Sequence, residues 1–148
     1  MVEARDVQKL RSLTGAGIME CKKALNEVQG DFEKAVSLIK ERGLLKAETK
    51  KDRAANSGVI ESYVHNERVG VLVQLHCETD FVAKSAPFKE LAHNLAMQIA
   101  AMAPESDELL LKQNYIRDEG TTVEALINGV IAKVGENIKV GKFIRYEI

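Results

Sequence analysis

Tryptophan is absent from this 148-residue chain, and cysteine and proline occur only twice each. The two thiols, Cys21 and Cys77, stand far apart inside apolar patterns, so they read as small buried side chains rather than as a disulfide or a metal pair. His76 and Cys77 come nearest to a ligand pair, but neighbours on a strand point to opposite faces, and no second His or Cys pair has ligand spacing. His65 and His93 read as surface or packing residues. Charge of either sign is not in excess: 21 Lys and Arg oppose 22 Asp and Glu, which leaves no whole-molecule field to hold a polyanion. No run approaches bilayer length, and Met1–Asp6 carries acids where a secretory leader is basic and then apolar, so the expected location is the cytoplasm, with no membrane partner.

Catalytic and nucleotide-binding motifs are missing as well. Gly135 and Gly141 are separated by five residues where a phosphate-binding loop has four, and Phe143 stands where a Ser or Thr should hold magnesium. Gly15-Ala16-Gly17 has Glu20 in place of the third glycine of a dinucleotide fingerprint and follows a helical pattern rather than a strand. No nucleophile has a neighbouring base. The expectation is a protein that works by binding, without covalent chemistry, cofactor or metal.

The apolar residues are clearly patterned. Val7, Leu10 and Leu13 recur at helical spacing up to Gly15; Ile18, Cys21, Leu25 and Val28 do so up to Gly30; and Asp31 can cap a third helix on Phe32, Ala35, Val36 and Ile39, with Gly43 as its expected stop. Residues 1–43 thus form a three-helix bundle, too small to be stable without packing on something else. Residues 44–56 mix Lys46, Lys50, Lys51 and Arg53 with Glu48 and Asp52 and read as a basic, partly helical linker; a basic patch for RNA is the alternative.

From residue 57 the pattern changes. Val59–His65 and Val69–Cys77 alternate as strands around an Asn66-Glu67 turn. Phe88, Leu91, Ala92, Leu95, Ala96 and Ile99 mark a helix with Pro87 in its first turn, and residues 106–122 read as a short edge strand or an irregular crossing. Val123, Leu126, Ile127, Val130 and Val134 mark a last helix, and residues 138–148 a closing strand. The fold class is therefore α+β: the bundle, then an antiparallel sheet of about three strands with two helices on one face, in a core module of residues 57–148.

Glu78-Thr79-Asp80-Phe81-Val82 lies between the most strand-like run and the strongest amphipathic helix, and it puts a phenylalanine where a connection is normally polar. Two readings of the residues stand open. Phe81 folds back over the sheet while Glu78, Thr79 and Asp80 cap the helix, or the ring projects beside a carboxylate as an anchor for a partner's pocket.

Four segments in order, Thr14–Leu25, Arg68–Val73, Thr79–Ala83 and Ile131–Ile138, resemble bacterial elongation factor Ts over almost the whole chain. The resemblance implies a ubiquitin-associated-like (UBA-like) N-terminal bundle, a protein partner in the GTPase elongation factor Tu, and guanine-nucleotide exchange. By motif position it assigns Thr79, Asp80, Phe81 and Val82 to partner binding and displacement of the GTPase magnesium, and Arg11, Ile18, Met19 and Lys22 to docking by the bundle. Ile18 also reads as core, whereas Met19 lies off the helical stripe. The long helical hairpin usual before the last helix, and a second core repeat, are missing by the same comparison. One core surface per chain suggests a reversible homodimer through the sheet, by the edge containing residues 138–148, in a two-plus-two complex with the GTPase; Ile144 stands where some short members carry cysteine, so packing alone would hold it. The competing functions are an RNA- or ribosome-associated module without exchange activity, and a ubiquitin-type adaptor that would leave Asp80-Phe81 unexplained.

Overall fold

A computed structural model describes all residues, 1–148. Helices α1 (Ala4–Thr14), α2 (Ile18–Glu27) and α3 (Phe32–Lys50) pack around Leu10, Cys21, Ala24, Leu25 and Ala35, all fully buried. Gly15, at φ 72°, ends α1 in the left-handed region that favours glycine, and its N–H donates to the Arg11 carbonyl. The Asp31 carboxylate caps α3 by accepting from the Lys34 N–H at 3.1 Å.

Gly43 does not stop α3, which continues to Lys50. A Cβ at Gly43 would lie 3.6 Å from the Cβ of Ala132, on helix α7 (Val123–Val134), and Ala47 one turn later is 6% exposed within the main core. Gly43 is thus a buried position of α3 facing α7, with no left-handed backbone. Gly15 approaches the same helix, because a Cβ there would meet the Lys133 side chain at 3.3 Å. The small bundle therefore gains the external packing that its size requires.

Strands β1 (Ser57–His65), β2 (Val69–Cys77) and β5 (Lys139–Glu147) form one antiparallel sheet in the order β1-β2-β5. Positive φ at both Asn66 and Glu67 fits the tight turn whose twist matches paired strands, and it sets Ser57 opposite Cys77. Helix α5 (Ala86–Met102) lies across β1 and β2 on one face, and α7 packs on α5 and α3. Val73, Leu75 and Cys77 of β2, Phe88, Leu95 and Ile99 of α5, and Val123 of α7 are fully buried there. The opposite face of the sheet is uncovered and carries Ile60, Val64, Leu72, Ile144 and Tyr146, all exposed.

Residues 106–122 are more regular than expected. The Ser106 hydroxyl caps a short helix α6 (Asp107–Lys112), and β3 (Asn114–Tyr115) pairs with β4 (Asp118–Thr122) in a separate two-stranded sheet. Gln98 of α5, fully buried, anchors this crossing: its amide donates to Gln113 Oε1 and to the Asn114 carbonyl, and its oxygen accepts from the Ile116 N–H. No helix is long and apolar enough to cross a membrane.

Candidate functional site

The inward-facing residues of β2 end at Cys77, whose thiol donates to the Thr79 carbonyl at 3.2 Å. Burial, followed by the nearby Glu136 carboxylate, pushes this thiol above its ordinary value, so it stays protonated. Thr79 is extended and caps a four-residue helix α4 (Asp80–Ala83), its hydroxyl oxygen accepting from the Val82 N–H at 3.3 Å. Asp80 falls in the first turn, where the helix dipole favours an anion. Val82 and Ala83 enter the core at 6% and 4% exposure.

That choice of inward residues decides the fate of Phe81. With Val82 and Ala83 turned inward, the preceding two side chains of α4 face solvent, and Phe81 is 86% exposed. Leaving such a ring in water forfeits about 1.5–3 kcal/mol of burial energy. Of the two readings open in the sequence, the folded-back ring is excluded: Phe88, not Phe81, is the phenylalanine beneath the sheet.

The turn is held by residues distant in sequence. Ser57, the first residue of β1, donates its hydroxyl to Asp80 Oδ1. Thr79 donates both its N–H, at 3.0 Å, and its hydroxyl, at 2.8 Å, to the two carboxylate oxygens of Glu136. Glu78 accepts from the Asn137 N–H at 2.8 Å and has Arg53 at 3.6 Å. Asn137, 3% exposed, donates its amide to the carbonyls of Lys51 and Arg53 just beyond α3. Ser57, Glu136 and Asn137 were not singled out for roles by sequence reasoning, and Glu78, expected as a helix cap, instead holds the Asn137 N–H. Glu136 and Asn137 lie in a segment that carried the family resemblance, and that was their only signal.

On the bundle, Ile18 and Met19 are 53% and 64% exposed, so Ile18 is not a core residue despite its place in the helical stripe. Arg11, Ile18 and Lys22 line a shallow cleft of about 370 Å³ together with Val2 and Val7. Met19 stands beside it, on the first turn of α2, and does not line it. The structure thus brings three of the four expected docking residues together at one cleft, where Arg11 and Lys22 join the apolar Val2, Val7 and Ile18 and no residue of the Thr79–Val82 turn takes part.

Comparison with known proteins adds identity to this geometry. The family described as Elongation factor TS matches residues 3–105 and 78–148. The chain is similar to Elongation factor Ts of Thermotoga neapolitana, 41% identical over 186 aligned positions that cover 96% of this chain and 94% of that protein. It is likewise similar to the same-named proteins of Coprothermobacter proteolyticus, 40% identical with 99% and 98% covered, and Moorella thermoacetica, 38% identical with 100% and 96% covered. The shortest of these alignments spans 186 positions against 148 residues here, so this chain lacks at least 38 positions that its relatives occupy.

Proposed function

This chain belongs to the elongation factor Ts family, and from that premise we propose that it is a guanine-nucleotide exchange factor for elongation factor Tu. The observation that carries the mechanism is Phe81, 86% exposed beside Asp80 on a helical turn that is itself tied into the core. The ring enters an apolar pocket of the GTPase and regains the burial it forfeits in the free protein. Asp80 arrives with it and disturbs the surroundings of the bound magnesium, so the ion and the nucleotide phosphates lose ligands and GDP leaves faster. Thr79 fixes the start of the turn, and Val82 roots it in the core.

Energetically, the chain must bind the empty or loosened GTPase better than the GDP-bound form, and by linkage GDP weakens the chain's hold equally. Each ~1.4 kcal/mol of that difference is a tenfold change in nucleotide affinity. Labour divides between the modules. The bundle within residues 1–43 docks through Arg11, Ile18, Met19 and Lys22, residues 44–56 connect, and the core of residues 57–148 carries the turn. A cleft lined by apolar side chains together with Arg11 and Lys22 suits a partner surface with an apolar knob and nearby acids.

A homodimer through the sheet is part of the same reading, formed by its uncovered face rather than by the edge strand of residues 138–148 that the sequence suggested. Leu72 and Ile144 lie opposite one another in the β2–β5 register and are both exposed, with Ile60, Val64 and Tyr146 around them. Two such faces back to back would bury this apolar surface and present two exchange turns to two GTPase molecules. Pre-steady-state release of labelled GDP from elongation factor Tu, measured as the chain concentration rises, tests the function. Acceleration that saturates is expected; a release rate independent of the chain overturns it.

A further inference from the structure

We propose that Glu136 is a positioning residue for the exchange turn: its carboxylate holds both donors of Thr79, so that Asp80 and Phe81 meet the partner already in their working places. This rests on reading residues 79–82 as the surface that acts on the GTPase.

Taken alone, the turn is weak. Helix α4 has four residues, fewer than an isolated helix needs to persist in water. Its own bonds are all local: Val82 N–H to the Thr79 hydroxyl, Ala83 N–H to the Thr79 carbonyl and Lys84 N–H to the Asp80 carbonyl, both at 3.2 Å, and the Ser85 N–H and hydroxyl to the Val82 carbonyl at 2.9 and 2.6 Å. Phe81, being exposed, contributes nothing to holding it. Glu136 supplies what the turn lacks. A carboxylate accepting two hydrogen bonds is charge-assisted, and the hydroxyl bond also orients the cap. Thr79 has one hydroxyl proton; once that proton is given to Glu136, the oxygen lone pairs are left facing the Val82 N–H.

The brace is itself firmly mounted. Gly135 ends α7 at φ 76°, with its N–H donating to the Ile131 carbonyl, and this left-handed step turns the chain from the helix towards the start of β5. The two residues after Glu136 are nearly inaccessible, Asn137 at 3% and Ile138 at 4%. Asn137 is fastened on one side to the carbonyls of Lys51 and Arg53 and on the other to Glu78. The segment that carries Glu136 is therefore fixed from the end of α3, independently of residues 79–82, as well as through Glu78 at the foot of the turn.

Acting this way, Glu136 raises the fraction of free protein whose turn is competent to bind, and the apparent affinity for the GTPase scales with that fraction. Glu136→Ala should lower exchange at sub-saturating chain by about tenfold to a hundredfold, the scale of losing a charge-assisted bidentate contact. Glu136→Gln keeps an acceptor for the Thr79 N–H and should fall between.

The test uses the full chain as wild type, Glu136→Ala, Phe81→Ala and the double variant, with exchange on elongation factor Tu and backbone hydrogen exchange of the free proteins. Expected is a large loss for Glu136→Ala in the wild-type background and little further loss when Phe81 is already alanine, together with faster amide exchange confined to residues 79–84. Equal losses in both backgrounds with unchanged amide exchange would make Glu136 an ordinary partner contact and overturn the proposal, as would wild-type exchange by Glu136→Ala. Should Glu136→Ala fail to fold, Glu136→Gln decides: a partial loss coupled to Phe81 supports positioning, and a full rate refutes it. A wild-type chain with no exchange activity refutes the function instead, and the amide-exchange arm then still decides whether Glu136 orders the turn.

Discussion

Replacing Phe81 by alanine separates docking from folding. The ring is 86% exposed, so its removal takes almost no contact from the folded state, and alanine is at least as good a helix former. Stability should change by less than ~0.5 kcal/mol, which for a chain of this length moves the melting temperature by about 1–2 °C. In the complex the same ring is expected to become buried. Aromatic side chains remove about 150–250 Å² from water, which at ~25 cal/mol per Å² corresponds to roughly 4–6 kcal/mol gross. Alanine retains a part of that, and ordering costs another part, leaving an anchor worth ~2–4 kcal/mol. Exchange should then fall by roughly one to three powers of ten. Stopped-flow release of a fluorescent GDP from elongation factor Tu, alongside a thermal melt of each protein, measures both quantities. GDP release at the wild-type rate would refute the wedge, and destabilisation by several kcal/mol would show that the ring supports the fold instead.

Other substitutions probe the remaining parts. Asp80→Asn keeps an oxygen to accept from Ser57 and so holds the turn while removing the charge; its loss of exchange should be smaller than that of Phe81→Ala and should shrink as magnesium is depleted, whereas a loss independent of magnesium would make Asp80 a plain contact. Ile18→Glu with Met19→Glu, both on exposed positions, should weaken association by about tenfold or more while leaving release at saturation little changed, and an equal loss at saturation would contradict the division between docking and action. Light scattering over a dilution series should show a reversible dimer that Leu72→Lys converts to monomer; a wild-type monomer that exchanges nucleotide at full rate at the same concentration would exclude any need for the dimer.

Local signals in the sequence were read well because their causes are local. Asn66-Glu67 formed the turn expected between two alternating runs, and Asp31 and Gly15 did what caps do. Gly43 misled because a glycine after a helical run suits a left-handed stop, whereas here it is a right-handed, buried position of α3 facing Ala132, a residue 89 positions further on. The Ser106 cap before Asp107 and Glu108 was a legible signal, outweighed by the hydrophobic run Leu109–Leu111, which suited a strand equally. At the site, Phe81 stood out as an aromatic in a turn, yet its exposure depended on which neighbours of α4 face the core. Glu136 was beyond any local pattern, since Thr79 lies 57 positions away and only the meeting of β2 with the start of β5 brings them together.

The central claim is that this chain speeds nucleotide loss from its GTPase, and one titration reaches it directly. Elongation factor Tu carrying labelled GDP is mixed with excess unlabelled GDP and increasing amounts of the chain, and the release rate is followed. A rate that climbs and then saturates, with the chain acting at substoichiometric amounts, is the expected result. A rate that stays at its spontaneous value, even where the two proteins demonstrably associate, would leave a binding protein without exchange activity.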